Sequence, residues 1–433
     1  MSRSAVVKFP QMIRVTNLSA VEVLDSRGRP TLAATMGLAG GSFATVSIPS
    51  GASTGKAEAK ELRDGLKPYR GLGCRKAVAN VRGPIAQALV DREFLDQEDL
   101  DLTLKELDGT PDKSRLGANA LVATSLAFAR AMAIHQGVEL YNYFAALLPN
   151  AVPALPRLSV NLFSGGKHAF GQVAIQDVLI VPSAGPSVAA ALAIIYDVYQ
   201  AAAEIIAKRY NARPLTADEG GLAPPFSNSI EMLETAAESI ESAGYHLGRD
   251  VTLAVDVAAS HFVQQDGSYR LDNRTLRPEE MIDLLARWRE RFPLTSVEDG
   301  LGEDDWDHWP ILRQRLGDKT LTLADDLTCT NPDRIRRAVQ LGAANALLLK
   351  INQIGTVTEA KNAYLLARQA GWKIAVSARS GETEDNWLAD LAVGWSGDFI
   401  KVGSITQSER LAKYNRLLLI EDQHDFKLGR ASE

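Results

Sequence analysis

The chain has 433 residues, 46% hydrophobic and 23% charged, with a formal net charge of −6 and a pI near 5.7. That length exceeds what one ordinary core needs and predicts two domains. The acidic balance lacks the basic excess that binding a phosphate backbone requires, which argues against nucleic acid as a partner.

The opening "MSRSAVVKFPQMIRV" holds no apolar run long enough for a signal peptide. The two cysteines, Cys74 and Cys329, are too few for a disulfide framework and lack metal-ligand spacing, so a reducing cytoplasm fits and each reads as a small buried hydrophobe. "AVEVLDSRGRPTLAATMGLAG" predicts strand, Ser-Arg-Gly turn and strand, and "GSFATVSIPSGASTG" a third strand ending in a glycine-serine loop. Helical patterns follow in "GCRKAVANVRGPIAQALV" and "GANALVATSLAFARAMAIHQG". Strands followed by helices predict an α+β domain over residues 1–143.

"FAALLPNAVPALPRLSVN", with three prolines and no clean period, predicts a linker opening the second domain at 144–433. The most apolar tract, 187–207, is broken by Asp197 and Glu204, which favours a packed helix over a membrane span. Beyond it, short apolar runs end in polar residues and alternate with amphipathic helices: "VTLAVD", "PLTSVED", "TLTLADD", "NALLLK", "KIAVS" and "DFIKVG". Their terminators, Asp256, Glu298, Asp325, Lys350, Ser377 and Lys401, recur 42, 27, 25, 27 and 24 residues apart. A strand, a helix and two loops need about 30 residues, so the repeat predicts an α/β chain with a (β/α)₈ barrel rather than a doubly wound sheet. No glycine-rich phosphate loop opens the first unit.

In such a barrel the C-terminal strand ends share one mouth, and residues distant in sequence converge there. Three carboxylates at one mouth repel unless a cation neutralises them, and hard oxygen ligands select Mg²⁺ over zinc. Lys350 and Lys401 each end a buried strand. Beside a metal, a partly desolvated lysine has its pKa lowered and can act as a base; a salt bridge to the carboxylates is the other reading. "TADEGGLAPP" places Asp218 and Glu219 in a loop, where Glu219 can donate a proton to a leaving group and Asp218 suits an Asx turn. "NLFSGGKHAFGQVAIQD" brings His168 in another glycine loop, followed by Gln176 and Asp177.

"VLDSRGRPT" (23–31), "SGASTGKAEAKELRDG" (50–65), "DEGGLAPP" (218–225), "SVEDGLGEDDW" (296–306), "ADDLTCTNPDRI" (324–335), "NALLLKINQIGTVTEA" (345–360), "RSGETED" (379–385) and "SERLAKYN" (408–415) together resemble enolase over nearly the whole chain. The resemblance implies a small N-terminal domain capping an enolase-type (β/α)₈ barrel, as a homodimer or higher homo-oligomer. It implies that Asp256, Glu298 and Asp325 hold one high-affinity Mg²⁺ and that Ser53 brings in a second with substrate. It further implies that Lys350 takes the C2 proton of 2-phosphoglycerate and that Glu219, with His168 and Asp177, assists departure of the C3 hydroxyl. Lys401 and Gln176 then hold the substrate's carboxylate side, and Arg379 and Ser380 its phosphate.

The departures gather on one side. Enolases resembling this chain read Ser-His-Arg-Ser where it has Ser377-Ala378-Arg379-Ser380. Asp177 replaces a glutamate, Ser164 an asparagine, Gly300 a proline and Gln407 an arginine. Metal ligands and lysines are kept while the leaving-group side is altered. The expected function is therefore proton abstraction from a phosphorylated or phosphonylated small acid by a specialised homologue, of the kind that carboxyphosphonoenolpyruvate synthase represents in phosphonate antibiotic pathways. Ordinary phosphopyruvate hydratase is the alternative, and a non-catalytic paralogue a third.

Overall fold

The computed structural model describes residues 12–52, 54–169, 171–424, 426 and 428. β1 (Ile13–Leu24) and β2 (Pro30–Leu38) form the antiparallel hairpin expected around Ser-Arg-Gly, β3 (Phe43–Ser47) adds to β2, and the short β4 (Glu93–Phe94) borders β1. The hairpin turn is held by Asp25, whose Oδ1 accepts the amides of Arg27 and Arg29 at 2.9 Å each. Gly28 takes the positive φ of +69° that closes it. The helix Ala118–Gln136 packs on this sheet and is buried almost all round as far as Ala133, as a helix apolar on every face must be. The helical run after Cys74 is interrupted by a π turn at Val81–Ile85, where Pro84 supplies no amide hydrogen.

Eight strands close the barrel: β5 (Arg157–Ser164), β6 (Asp177–Pro182), β7 (Val251–Asp256), then, past an outlying hairpin of β8 (Tyr269–Leu271) and β9 (Arg274–Leu276), β10 (Leu294–Glu298), β11 (Leu321–Ala324), β12 (Ala346–Leu349), β13 (Lys373–Ser377) and β14 (Phe399–Gly403). The last six barrel strands coincide with the six apolar runs read from sequence.

One strand departs from the uniform repeat. β6 is antiparallel to both β5 and β7, because the described residues between the two strands supply only the 3₁₀ turn Gly166–Ala169 and no crossover helix to return the chain to the foot of the barrel. β6 therefore starts at the mouth. The helix Val188–Tyr210, 23 residues and so about 35 Å long, carries the chain up again. Residues 211–228 lie at the mouth, where Leu222 exchanges backbone hydrogen bonds with Leu162 and Ser164. This helix is long and apolar enough to cross a membrane, yet it buries Ile194, Ile195, Val198 and Ala202 and leaves Asp197 and Glu204 exposed.

The lower barrel interior is filled. Leu179, Val181 and Ala254 form one apolar group and Leu323, Ala346, Leu348 and Ala375 another, with Phe399 against both and the Arg157 guanidinium 5.2 Å from its ring centroid. Polar chemistry is confined to the strand ends above, over which the N-terminal domain sits. Ser50 and Gly381 exchange both backbone hydrogen bonds across the domains, at 2.8 and 3.0 Å.

Candidate active site

Strand register builds the first part of the site. Asp177 of β6 pairs with Asp256 of β7, which pairs with Glu298 of β10, so three carboxylates stand in one row on the interior face. Lys401, paired with Ser377, sends Nζ between two of them, 2.8 Å from Asp256 Oδ2 and 2.7 Å from Glu298 Oε2. Asp325 follows β11 and is held by Lys350 Nζ at 2.5 Å and Gln353 Nε2 at 2.7 Å. Burial followed by the Asp256 charge pushes Glu298 well above the usual carboxylate range. For Asp256 burial acts the same way, but Lys401 outweighs it and holds the group low.

Asp256, Glu298 and Asp325 do share the mouth, but ammonium groups stand among them. Among the described residues the tight three-ligand groups are instead His168–Asp177–Glu219 and Asp299–Asp325–Asp326. With these carboxylates alone around it, burial lowers Lys350 but Asp325 and Glu298 outweigh that, and its pKa lies above the ordinary lysine value. The donor set nonetheless fits Mg²⁺. Asp256 and Glu298 flank Lys401, Asp325 and Asp326 lie beside Lys350, and Asp299 stands against Asp325 and Asp326, five buried carboxylates in all. All are hard oxygen donors, and Gln176, which donates to Asp256 at 3.1 Å, leaves its Oε1 buried without a partner.

On the other side, His168 lies buried between two acids, with Nδ1 3.2 Å from Asp177 Oδ2 and Nε2 3.6 Å from Glu219 Oε1. The Nδ1 contact lacks hydrogen-bond alignment, and both of its atoms are without a partner. Burial disfavours the charged ring, but Glu219 and Asp177 outweigh it and raise His168 to about 9. The imidazolium in turn helps hold Glu219 low against its own burial. Glu219 Oε2 accepts from Asn161 at 3.0 Å, and Asp177 Oδ1 from Ser164 Oγ at 2.6 Å. The Gln407 amide reaches the backbone at 217–218. Three of the sequence departures thus meet around Glu219.

The 377–385 loop closes the ring. Arg379 is buried, donating to Glu58 Oε2 at 2.9 Å and to Oε1 at 3.3 Å. Ser380 Oγ accepts from Arg27 at 3.1 Å, and Arg410 binds the carbonyls of Arg379 and Ser380 at 2.8 and 2.6 Å. Lys413, buried, fixes Glu382 at 2.8 Å. Gly51 is required beside this group, since a Cβ there would stand 1.9 Å from the Arg379 guanidinium. Ala378 lines a small cavity of ≈ 20 Å³ together with His168, Gln176, Glu219, Lys350 and Lys401. Gly300, another departure, is packed against Leu285 and Leu312.

The structure therefore brings His168, Gln176, Asp177, Glu219, Asp256, Glu298, Asp325, Lys350, Arg379, Ser380 and Lys401 to one mouth. Ser53 lies outside the described residues. Four contributors were not singled out from sequence. Glu58 sits within "SGASTGKAEAKELRDG", and Gln353 three residues after Lys350. Asp299 follows Glu298 and accepts the amides of Asp325 and Asp326 at 3.0 and 2.8 Å. Asn161, on β5, carried no signal.

Comparison with known families gives two matches. Residues 15–144 match the enolase N-terminal domain, and residues 152–429 match the enolase C-terminal TIM barrel domain.

Proposed function

The chain belongs to the enolase family, and from that premise we propose that it removes the C2 proton of 2-phosphoglycerate, or of a close phosphorylated or phosphonylated analogue, with Lys350 as base. The observation that carries this is the division of the mouth. The carboxylate row and both lysines are in place, while Ala378 presents a methyl group to the cavity beside His168 and Glu219.

Asp256, Glu298 and Asp325 would hold Mg²⁺, with Ser53 for a second ion; bound there, the metal supplies positive charge against an enediolate forming from the substrate carboxylate. Lys401 orients the carboxylate end and Gln176 offers its amide to it. Arg379 and Ser380 take the phosphate, in competition with Glu58 for the guanidinium. Lys350 becomes able to accept a proton as the Asp325 charge is drawn from it.

The specialised reaction, of the carboxyphosphonoenolpyruvate synthase type, is the favoured reading because Ala378, Asp177 and Ser164 lie around His168 and Glu219, where the C3 hydroxyl would leave. One observation favours ordinary phosphopyruvate hydratase: His168, raised to about 9 beside Glu219, can itself deliver a proton there. Homodimer assembly and a cytoplasmic setting belong to the same proposal. The test is incubation with 2-phosphoglycerate and Mg²⁺ in deuterated water. Exchange at C2 without matching phosphoenolpyruvate is expected; formation of phosphoenolpyruvate at the exchange rate would assign the hydratase, and no exchange would remove Lys350 as base.

A further inference from the structure

Beside the mouth an open groove of ≈ 530 Å³ runs between Gly166, Lys167 and residues 171–174 on one side and the segment that follows β7 on the other. The two spaces adjoin: His168 lines the mouth cavity while Gly166 and Lys167, just before it, line the groove. His261 borders the groove and feels the charges of Lys167, Asp256, His168 and Asp325 together, which places it between the two.

The charge in this groove is one-sided. Lys167 and Arg270 are both exposed, and among the described residues neither side chain has an ion pair or hydrogen bond. The groove's carboxylate, Asp272, is already engaged: it accepts from Ser229 Oγ at 2.8 Å and from Ser229 N at 2.9 Å, at the start of the helix Ser229–Ser242. His261 Nδ1 is buried without a partner, and burial with the nearby Lys167 charge pushes the ring down to about 4, so it is neutral. Gln172 and Ser227 add neutral polar groups. Two cations without ion pairs, Lys167 in the 3₁₀ turn and Arg270 in β8, outnumber the one groove carboxylate and flank neutral polar groups, a setting that matches a multiply charged oxyanion better than a carboxylate.

We propose that this groove is a second anion subsite, taking the phosphate end of a second, phosphorylated substrate between Lys167 and Arg270 while the small acid occupies the mouth. Its role as a co-substrate site rests on the specialised reaction favoured above drawing on a second substrate; its binding of anions does not.

The test is calorimetric titration of inorganic pyrophosphate into the full chain, with and without saturating 2-phosphoglycerate and Mg²⁺, for the native protein and for a Lys167→Ala, Arg270→Ala double variant. Both side chains are exposed, so the variant should fold. Binding of pyrophosphate with the mouth filled is expected, weakened about 10-fold or more in the double variant, since hydrogen bonds to charged groups carry about 1.5–3 kcal/mol. Pyrophosphate that only competes with 2-phosphoglycerate, or that binds both proteins equally, would overturn the subsite. Failure of 2-phosphoglycerate itself to bind would count against the mouth's assigned substrate, and the titration without it would still read the groove.

Discussion

Replacing Ala378 by histidine places an imidazole in the small polar cavity, ≈ 20 Å³, at the end of β13. The Ala378 amide donates to the Lys401 carbonyl at 2.9 Å and its neighbours' carbonyls are held by Arg410, so the backbone stays and the ring must extend where the methyl points. There it meets His168, Glu219, Lys350 and Lys401. With ammonium groups and an imidazolium around it, the new ring stays neutral and offers a hydrogen-bond donor to a leaving hydroxyl. A positioned acid–base group contributes about 10²–10⁴-fold, equivalent to about 3–5 kcal/mol of barrier. The cavity has room for little more than one water, so the ring must displace its neighbours, and overpacking of this kind costs about 1–3 kcal/mol, which should lower the thermal midpoint by several degrees. Ala378→His should raise phosphoenolpyruvate formation from 2-phosphoglycerate by about 10²-fold or more, followed by the ultraviolet absorbance of the enol phosphate. A native protein that already forms phosphoenolpyruvate rapidly, with no gain from the histidine, would refute the reasoning that the leaving-group side is deficient.

Lys350→Met should lower C2 hydrogen exchange by about 10²–10⁴-fold while Mg²⁺ binding persists, measured by exchange and calorimetry on the same preparation; retained exchange would move the base elsewhere. His168 is raised to about 9 in the fold against about 6.5 when free. The stability it contributes, about 3 kcal/mol, is therefore complete below about pH 6.5 and lost as pH rises through about 9. Urea unfolding from pH 6 to 10 should show that decline in the native protein and not in His168→Gln. Gly51→Ala forces the Arg379 guanidinium aside, and a displacement near 1 Å costs about 10²-fold in kcat/KM; unchanged kinetics would separate Arg379 from the phosphate. Mg²⁺ at about 100 times its Kd should stabilise the fold by about 2.7 kcal/mol, a rise in unfolding midpoint that chelation reverses and Asp325→Asn removes.

Where each strand stood in sequence decided how much could be read. Six of the barrel strands are short apolar runs ending in a charged or hydroxyl residue, and their period of about 25 residues leaves room for one crossover helix each. β5 and β6 escaped because the glycine-rich turn between them has neither a strand's alternation nor a helix's period. The helix 188–210 was recognisable as packed because two acids interrupt an otherwise apolar surface.

By itself, then, the sequence determined the two-part organisation, the barrel, and the residue types available at its mouth, since these follow from local periodicity and from strand ends that share one face. Only the tertiary structure decided which way β6 runs, and with it that Asp177 joins Asp256 and Glu298 in one row. It also decided that Glu58, 321 residues away in the chain, holds Arg379, and that Asp325 raises Lys350. These are pairings between distant segments, set by register and by charges brought within a few ångströms in a dry interior, and no local pattern encodes either.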